Sequence, residues 1–166
     1  MKENKFLRIN WFCVGTLLVI PLIFLKFWMW PPTTEIIVLC VFVSLNFLFF
    51  GVTNNSINKN GVKRTNYFFG FTIRKIDWNK IKCFAQVNEE WTGSHAVHNE
   101  DSIWFIGFDD ILFFRIVAKN KTELNSIISE ANNYKEKYEK ILKYNDPVNT
   151  IYRLRKVRYD RIKLQA

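Results

Sequence analysis

The sequence contains little cysteine, and its three cysteines are not arranged in pairs. Cys13 and Cys40 lie inside apolar runs, and Cys83 stands alone in the more polar remainder of the 166 residues. The sequence has no Cys-x-x-Cys pair, the spacing that commonly holds zinc or forms a redox motif. It therefore predicts neither a disulfide framework nor a zinc site, and it is compatible with a reducing compartment.

The sequence also lacks the short motifs of common catalytic sites. It has no Gly-x-Ser-x-Gly, no P-loop and no Gly-x-Gly-x-x-Gly, which present a nucleophile, bind phosphates and bind dinucleotides respectively. Asp109 and Asp110 are adjacent carboxylates, but they follow Gly107-Phe108 and are typical of a turn between apolar strands. We therefore expect no cofactor and no enzymatic activity.

Acidic residues are too few to balance the basic ones. The chain has 24 Lys and Arg against 15 Asp and Glu, a net charge of +9. This balance is typical of proteins that meet anionic lipid or nucleic acid, although it also serves solubility alone. Phe68-Phe69, Phe105 and Phe113-Phe114 stand among aliphatic residues, which predicts core positions rather than a platform for stacking bases. We expect no nucleic-acid partner.

Two long apolar runs dominate the first third of the chain. Residues 11–30 contain Lys26 as their only charge, and residues 36–52 contain none. As helices they would extend about 30 and 25 Å, close to the thickness of a bilayer core. Trp28, Trp30 and Pro31-Pro32 occupy the place of a signal-peptide cleavage site, so we expect the first run to be retained. The sequence predicts a transmembrane helical hairpin after a basic cytoplasmic leader, residues 1–10.

The residues at the ends of these runs predict an orientation. Trp11, Lys26, Trp28 and Trp30 are typical interfacial anchors. Basic residues lie before the first apolar run and soon after the second: Lys2, Lys5, Arg8, Lys59, Lys63 and Arg64. The positive-inside rule then predicts a multi-pass protein of the cytoplasmic (inner) membrane with both termini in the cytoplasm.

Asn46 is a polar group deep in the second apolar run. In hydrocarbon its amide would need a hydrogen-bond partner. That partner lies either on the first helix or on another copy of the protein, and the sequence leaves both alternatives open.

The hydropathy pattern changes after Val52, and residues 53–146 predict one cytoplasmic domain. Runs at 61–69, 71–76, 81–90, 102–108 and 111–118 are rich in β-branched and aromatic residues, as strands are. Asn120 and Glu123 form a capping-box pattern, and an apolar stripe at helical spacing follows it as far as Leu142. The predicted fold class is α+β, a small antiparallel sheet or partial barrel closed by a C-terminal amphipathic helix.

Residues 147–166 form a basic tail with interspersed aliphatic residues. An amphipathic helix on anionic lipid headgroups, a solvated tail and a helix packed on the domain all fit this pattern. The residues expected to touch a membrane surface are Arg153, Arg155, Lys156, Arg158, Arg161 and Lys163.

Three short passages carry a family resemblance: Ser56 to Val62, Tyr67 to Ile73 and Ile76 to Ile81. Together with the hairpin and the closing helix, they resemble the bacterial pleckstrin-homology-like (PH-like) domains of small membrane proteins. The resemblance implies a strongly bent sheet and a scaffolding or binding role rather than an enzyme.

Two functions remain as hypotheses. The first is a non-enzymatic, membrane-anchored interaction module that presents a PH-like domain at the inner leaflet. It would contact the lipid bilayer and an unknown protein partner, with an immunity or envelope-stress role as a narrower form. The alternative is a membrane-bound metal-dependent enzyme or metal sensor that uses His95 and His98, with Glu100 or Asp101 completing the site. A solvated loop explains the two histidines more simply.

Overall fold

A computed structural model of the chain describes residues 5–26, 34–92 and 97–146. These residues divide into two compact units. The helical unit comprises Lys5–Asn55 and Arg64–Arg74, and the sheet unit comprises Ser56–Lys63 and the chain from Lys75 onward. The elements in chain order are β1 Lys5–Ile9, α1 Trp11–Lys26, α2 Thr34–Asn46, a π-helical turn Phe47–Gly51, β2 Val52–Asn58, β3 Gly61–Asn66, β4 Thr72–Ile76, a 3-10 turn Trp78–Lys80, β5 Ile81–Thr92, β6 Val97–Gly107, β7 Leu112–Val117, α3 Lys121–Asn132 and β8 Lys137–Asp146.

The helices of the helical unit are shorter than the apolar runs that contain them. α1 has 16 residues and α2 has 13, which correspond to about 24 and 20 Å, whereas a bilayer core is about 30 Å thick. α2 ends at Asn46, a π-helical turn follows, and the chain is extended from Val52. Within the described ranges, no helix is long and apolar enough to cross a membrane. The predicted transmembrane hairpin and the predicted multi-pass inner-membrane localisation are therefore wrong.

Polar side chains inside the two helices bond to their own helical backbone. The Thr16 hydroxyl donates to the Cys13 carbonyl at 2.9 Å, and the Ser44 hydroxyl donates to the Cys40 carbonyl at 2.8 Å. Such bonds satisfy a hydroxyl locally, so neither needs a partner on another segment. Cys13 on α1 and Cys40 on α2, whose carbonyls accept these bonds, are both buried.

The eight strands of the described residues form two four-stranded sheets, ordered β1-β2-β3-β4 and β7-β6-β5-β8. In the second sheet β5 pairs with β6 and β6 with β7 in antiparallel fashion, whereas β5 and β8 are parallel. Five residues that alternate along these strands form an apolar cluster on one sheet face, joined by Cys83, Tyr138 and Leu142: Ala85, Val87, Trp104, Ile106 and Leu112.

The opposite face of this sheet carries an aromatic core. Phe105 packs against Phe84 and Phe114, with ring centroids 6.1 and 6.3 Å apart. Trp78 adds an edge contact to Phe105 and stacks on Tyr134 at 5.1 Å, and its indole donates to the Asn58 carbonyl at 2.7 Å. A buried aromatic with its N–H satisfied combines large apolar area with no unpaired polar group.

α3 begins as predicted but ends ten residues early. The Asn120 side chain accepts a bond from the Glu123 amide at 2.8 Å, which confirms the cap. The Glu123 carboxylate reaches back to the Lys119 amide at 2.7 Å, one residue before the cap residue. Leu124, Ile127 and Ala131 form its buried stripe. The chain then enters β8 at Lys137.

The predicted fold class, with a PH-like sheet closed by a C-terminal helix, is wrong for a physical reason. The interval of four residues between Tyr134, Tyr138 and Leu142 matches one helix face, but four is also a multiple of the two-residue period of a strand. Tyr138 and Leu142 pair with Ala85 and Val87 in a parallel ladder. Among the described residues strand accordingly outweighs helix, and a strand follows α3 where the sequence predicted more helix.

The β2–β3 turn requires glycine at Gly61. Its φ is +137°, and a Cβ there would lie 2.0 Å from the Ile76 carbonyl oxygen. Asn58 organises the same turn by accepting the Asn60 amide at 3.0 Å. A side chain at this position would meet both a strained backbone and a fixed carbonyl.

We predict that Gly61→Ala lowers the free energy of unfolding by at least about 2 kcal/mol, because backbone strain and the steric overlap add. Urea denaturation followed by circular dichroism measures the loss. Gly70→Ala is the matched control, since Gly70 also has positive φ (71°) but a Cβ added there would meet no atom within 4 Å. Equal losses in the two variants would contradict the steric explanation.

Candidate interaction surface and buried charge cluster

The sheet unit contains a buried charge cluster centred on Glu89. Glu89 lies on β5 with no exposed surface. The Trp104 indole donates to its Oε1 at 2.8 Å, the Arg115 Nε donates to Oε1 at 2.6 Å, and Arg115 Nη2 lies 2.6 Å from Oε2. The Ser102 hydroxyl also donates to Oε1. The carboxylate is thus held by a bidentate guanidinium and two further donors.

Strand register brings these residues together. Ser102 lies opposite Val87, Trp104 opposite both Ala85 and Arg115, and Glu89 opposite Glu100. Residues two apart on a strand face the same side, so Glu89, Ser102, Trp104 and Arg115 share one sheet face. The cluster therefore connects three neighbouring strands, β5, β6 and β7.

Arg115 also separates two carboxylates that would otherwise repel. Its Nη2 lies 3.4 Å from Glu100 Oε2 and 2.6 Å from Glu89 Oε2. Like charges directly opposite on adjacent strands are destabilising. Because Glu89 is enclosed and held by neighbours on its own chain, the cluster supports the sheet and offers no open position to a substrate.

The helical unit presents a different feature, an exposed aromatic turn between β3 and β4. Asn66 organises it, although its side chain is almost fully buried. Its Nδ2 donates to the Leu48 and Phe49 carbonyls at 2.7 and 2.9 Å, and its Oδ1 accepts the Phe69 amide at 2.6 Å. The backbone closes the turn with Asn66 N–H to the Phe71 carbonyl at 2.9 Å. One amide therefore ties the turn to the π-helical turn after α2 with two bonds and closes the turn itself with a third.

The rings of this turn face outward. Tyr67, Phe68, Phe69 and Phe71 are 54%, 48%, 59% and 39% exposed. Phe69 stacks on Phe49 at 5.5 Å and lies 6.5 Å from Phe71, and Tyr67 meets Phe68 edge-on at 5.4 Å. We call this set, with Phe49 and its neighbour Phe50, the aromatic surface. Contiguous exposed apolar area of this kind marks interaction sites.

α2 extends the apolar exterior of the same unit. Thr34, Val38, Leu39 and Phe42 line a shallow hollow along it. Further exposed side chains of α2 are Ile37, Val41 and Leu45. A helix that is apolar on all sides is normally covered on all sides.

The structure places the sequence-predicted site residues unevenly. Trp11 and Lys26 are the first and last residues of α1, whereas Trp28, Trp30 and all six basic tail residues lie outside the described ranges. Asn46 Oδ1 lies 3.6 Å from Cys13 Sγ, which donates to it. The sequence left open whether Asn46 bonds to the first helix or to another copy of the protein, and this contact is to the first helix.

The histidine loop of the metal hypothesis is only partly described. His98 belongs to β6 and pairs in register with Trp91, while His95 lies outside the described residues. Across 5–26, 34–92 and 97–146, no group of three or more His, Cys, Asp or Glu is placed to hold a metal ion.

Sequence reasoning missed both features described above. It assigned Phe68 and Phe69 to the core together with Phe105 and Phe114, but only the latter two are buried. Gly70 was the available signal, because a Phe-Phe-Gly-Phe reversal puts its rings at a turn, and turns lie at the surface. It placed Glu89 in the predicted strand 81–90 without assigning it a role, because a single strand shows no signal of its buried partners.

Comparisons of the chain with protein-family models, curated protein sequences and solved structures found no match. The expected resemblance to PH-like membrane proteins is therefore wrong, because no family model supports it and the described helices do not span a membrane. The proposed function therefore rests on the fold and the side-chain geometry.

We predict that removing one charge of the cluster is more damaging than removing both. Arg115→Met leaves Glu89 buried without its counter-ion and should lower the free energy of unfolding by about 3–5 kcal/mol. The double variant Glu89→Met/Arg115→Met leaves no buried charge and should lose less. Urea denaturation of both variants checks this, and a double variant at least as unstable as Arg115→Met would contradict it.

We also predict slow alkylation of Cys83. Partial burial, the largest effect, raises the pKa of the Cys83 thiol. The charge of Lys82 lowers this pKa, that of Asp110 raises it, and that of Lys135 lowers it. Because the thiolate is the reactive form, the folded protein should react with iodoacetamide near pH 8 severalfold more slowly than free cysteine. Peptide mass spectrometry locates the label, and the denatured chain is the control. A rate equal to that of free cysteine would contradict the burial effect.

Proposed function

We propose that the chain is a non-enzymatic interaction module that binds a protein partner through the aromatic surface. The observation that carries the proposal is the fixed exposure of Tyr67, Phe68, Phe69 and Phe71. Asn66 holds the turn with three hydrogen bonds from a buried position. The rings are therefore presented by a rigid support and lose little conformational entropy when they are covered.

Apolar area makes this surface strong enough for a specific contact. An aromatic side chain has roughly 150–250 Å² to bury, so a half-exposed ring retains about 100 Å². At about 25 cal/mol per Å², covering one ring contributes about 2.5 kcal/mol. Association costs at least about 4 kcal/mol in lost freedom of motion. One ring is insufficient, whereas the several adjacent rings of the aromatic surface exceed that cost together.

The buried charge cluster supports the non-enzymatic part of the proposal. A catalytic carboxylate must reach a reacting group, within about 3 Å or through one water. Glu89 is fully enclosed, and Ser102, Trp104 and Arg115 occupy its oxygens. The buried carboxylate of the sheet unit thus has a structural use.

Site-specific photo-cross-linking in the cells that naturally express the chain tests the proposal. Benzoylphenylalanine replaces Phe68 or Phe69 in the full chain, and the control places it at Phe108, which is 67% exposed but belongs to the sheet unit. We expect both turn positions, and not Phe108, to give the same discrete adduct with a second polypeptide. That polypeptide, once purified, should bind Phe69→Ser at least about tenfold more weakly than the original chain.

Three outcomes would contradict the proposal. They are adducts with lipid at Phe68 and Phe69, a product of two copies of this chain, and no adduct at either position. Phe69→Ser removes an exposed ring, and matching circular dichroism and urea midpoints establish that the variant is folded.

A further inference from the structure

The junction between α3 and β8 lacks the residue types that usually end a helix. Residues 121–146 contain no glycine and no proline, whereas helices commonly end at a glycine or shortly before a proline. Asn133, the residue after α3, has φ −67° and ψ −16°, which is still helical. The Lys135 amide donates to the Ala131 carbonyl at 3.0 Å, across the four-residue interval of an α-helical bond. The backbone therefore continues as a helix past the end of α3.

Residues 134–143 have the composition and charge spacing of a further helical segment. Seven of these ten residues are Lys, Glu or Leu, which favour helix over strand. Glu136 precedes Lys140 by four residues, and Glu139 precedes Lys143 by the same interval. Opposite charges in this order and at this interval stabilise a helix. The local preference of β8 is thus helical, although the segment is a strand.

A helical continuation would also extend the apolar stripe of α3. The buried part of that stripe ends at Ala131. Intervals of three and four residues carry it on through three apolar side chains: Tyr134, Tyr138 and Ile141. In β8 the Ile141 side chain is 60% exposed. The strand therefore leaves at the surface an apolar residue that the helical pattern would place on the stripe.

The strand arrangement of β8 rests on an interrupted ladder. β8 is an edge strand of its sheet and pairs with β5 in parallel, a pairing slightly less stable per residue than an antiparallel one. Tyr138 pairs with Ala85 and Leu142 with Val87, so three residues of β8 lie opposite the single residue Gln86. A segment whose local preference and long-range pairing disagree has two competing arrangements.

We infer that β8 is a displaceable strand, which detaches from β5 and refolds as a continuation of α3. The exchange releases the Phe84 amide, which donates to the Glu136 carbonyl at 3.3 Å, and it opens the edge of β5. An open edge presents N–H and C=O groups to an incoming strand. A strand that binds this edge would increase the helical arrangement, because it binds that arrangement alone. The switch lies within the sheet unit and does not depend on the proposed function.

Chemical-exchange saturation transfer NMR on the isotope-labelled full chain tests the inference. The Cα chemical shift of a residue distinguishes helix from strand and from unfolded chain, and the method detects minor states in slow exchange. We expect a minor state with a population of about 0.1–10%. In it, residues 137–143 should have helical Cα shifts, while those of β6 and β7 keep the shifts of the major state.

Three substitutions of Lys140, which is exposed and lies in the interrupted part of the ladder, identify the minor state. Lys140→Ala and Lys140→Val remove the same charge, but Ala favours helix and Val favours strand. The minor population should therefore be about threefold larger in Lys140→Ala than in Lys140→Val. Lys140→Pro should abolish the helical state, because proline breaks a helix interior but is tolerated at a bulge of an edge strand.

The outcomes separate a switch from simple fraying of the edge. Cα shifts of an unfolded chain in the minor state would overturn the inference, since β8 would then detach without refolding. Absence of a minor state in both the original chain and Lys140→Ala would overturn it too, as would equal populations in Lys140→Ala and Lys140→Val. If Lys140→Pro does not fold, the ratio between the Ala and Val variants decides.

Discussion

The sheet unit depends on the neutralisation of one buried carboxylate. Glu89 has no contact with solvent, and an isolated charge in such a place is very costly. Arg115 neutralises it in two-point contact while Ser102 and Trp104 supply further donors. All of these bonds require β5, β6 and β7 in one register, because a one-residue slip would turn the partners to the opposite face. The ion pair thus specifies strand alignment more than it adds stability.

Asn66 has the same role in the helical unit, with an amide in place of a charge. Two of its three hydrogen bonds reach the Leu48 and Phe49 carbonyls in the π-helical turn, and the third accepts the Phe69 amide. Carbonyls at the end of a helix have no partner within it, so an outside donor is needed there. The bonds that complete α2 are therefore the bonds that position the aromatic turn.

Local chemistry was predictable from the sequence, and long-range pairing was not. The cap at Asn120 and most strand positions follow from short patterns with one physical solution. The end of α3 does not follow from a short pattern, because Tyr134, Tyr138 and Leu142 satisfy both the helix and the strand period. Only the pairing of β8 with β5 decides between the two. The roles of Glu89 and Asn66 likewise depend on partners 13 or more residues away. Hydropathy also misassigned the first third of the chain, since apolar character alone does not set helix length.

Buried polar groups fix the backbone in both units, and in the helical unit that backbone holds aromatic rings at the surface. Glu89 and Asn66 are buried where their hydrogen bonds fix backbone geometry, and the geometry fixed by Asn66 includes a turn that holds rings at the surface. An apolar surface by itself attracts any apolar cover, because the hydrophobic effect is non-directional. Any discrimination between covers must therefore come from the polar groups around such a surface rather than from the rings themselves.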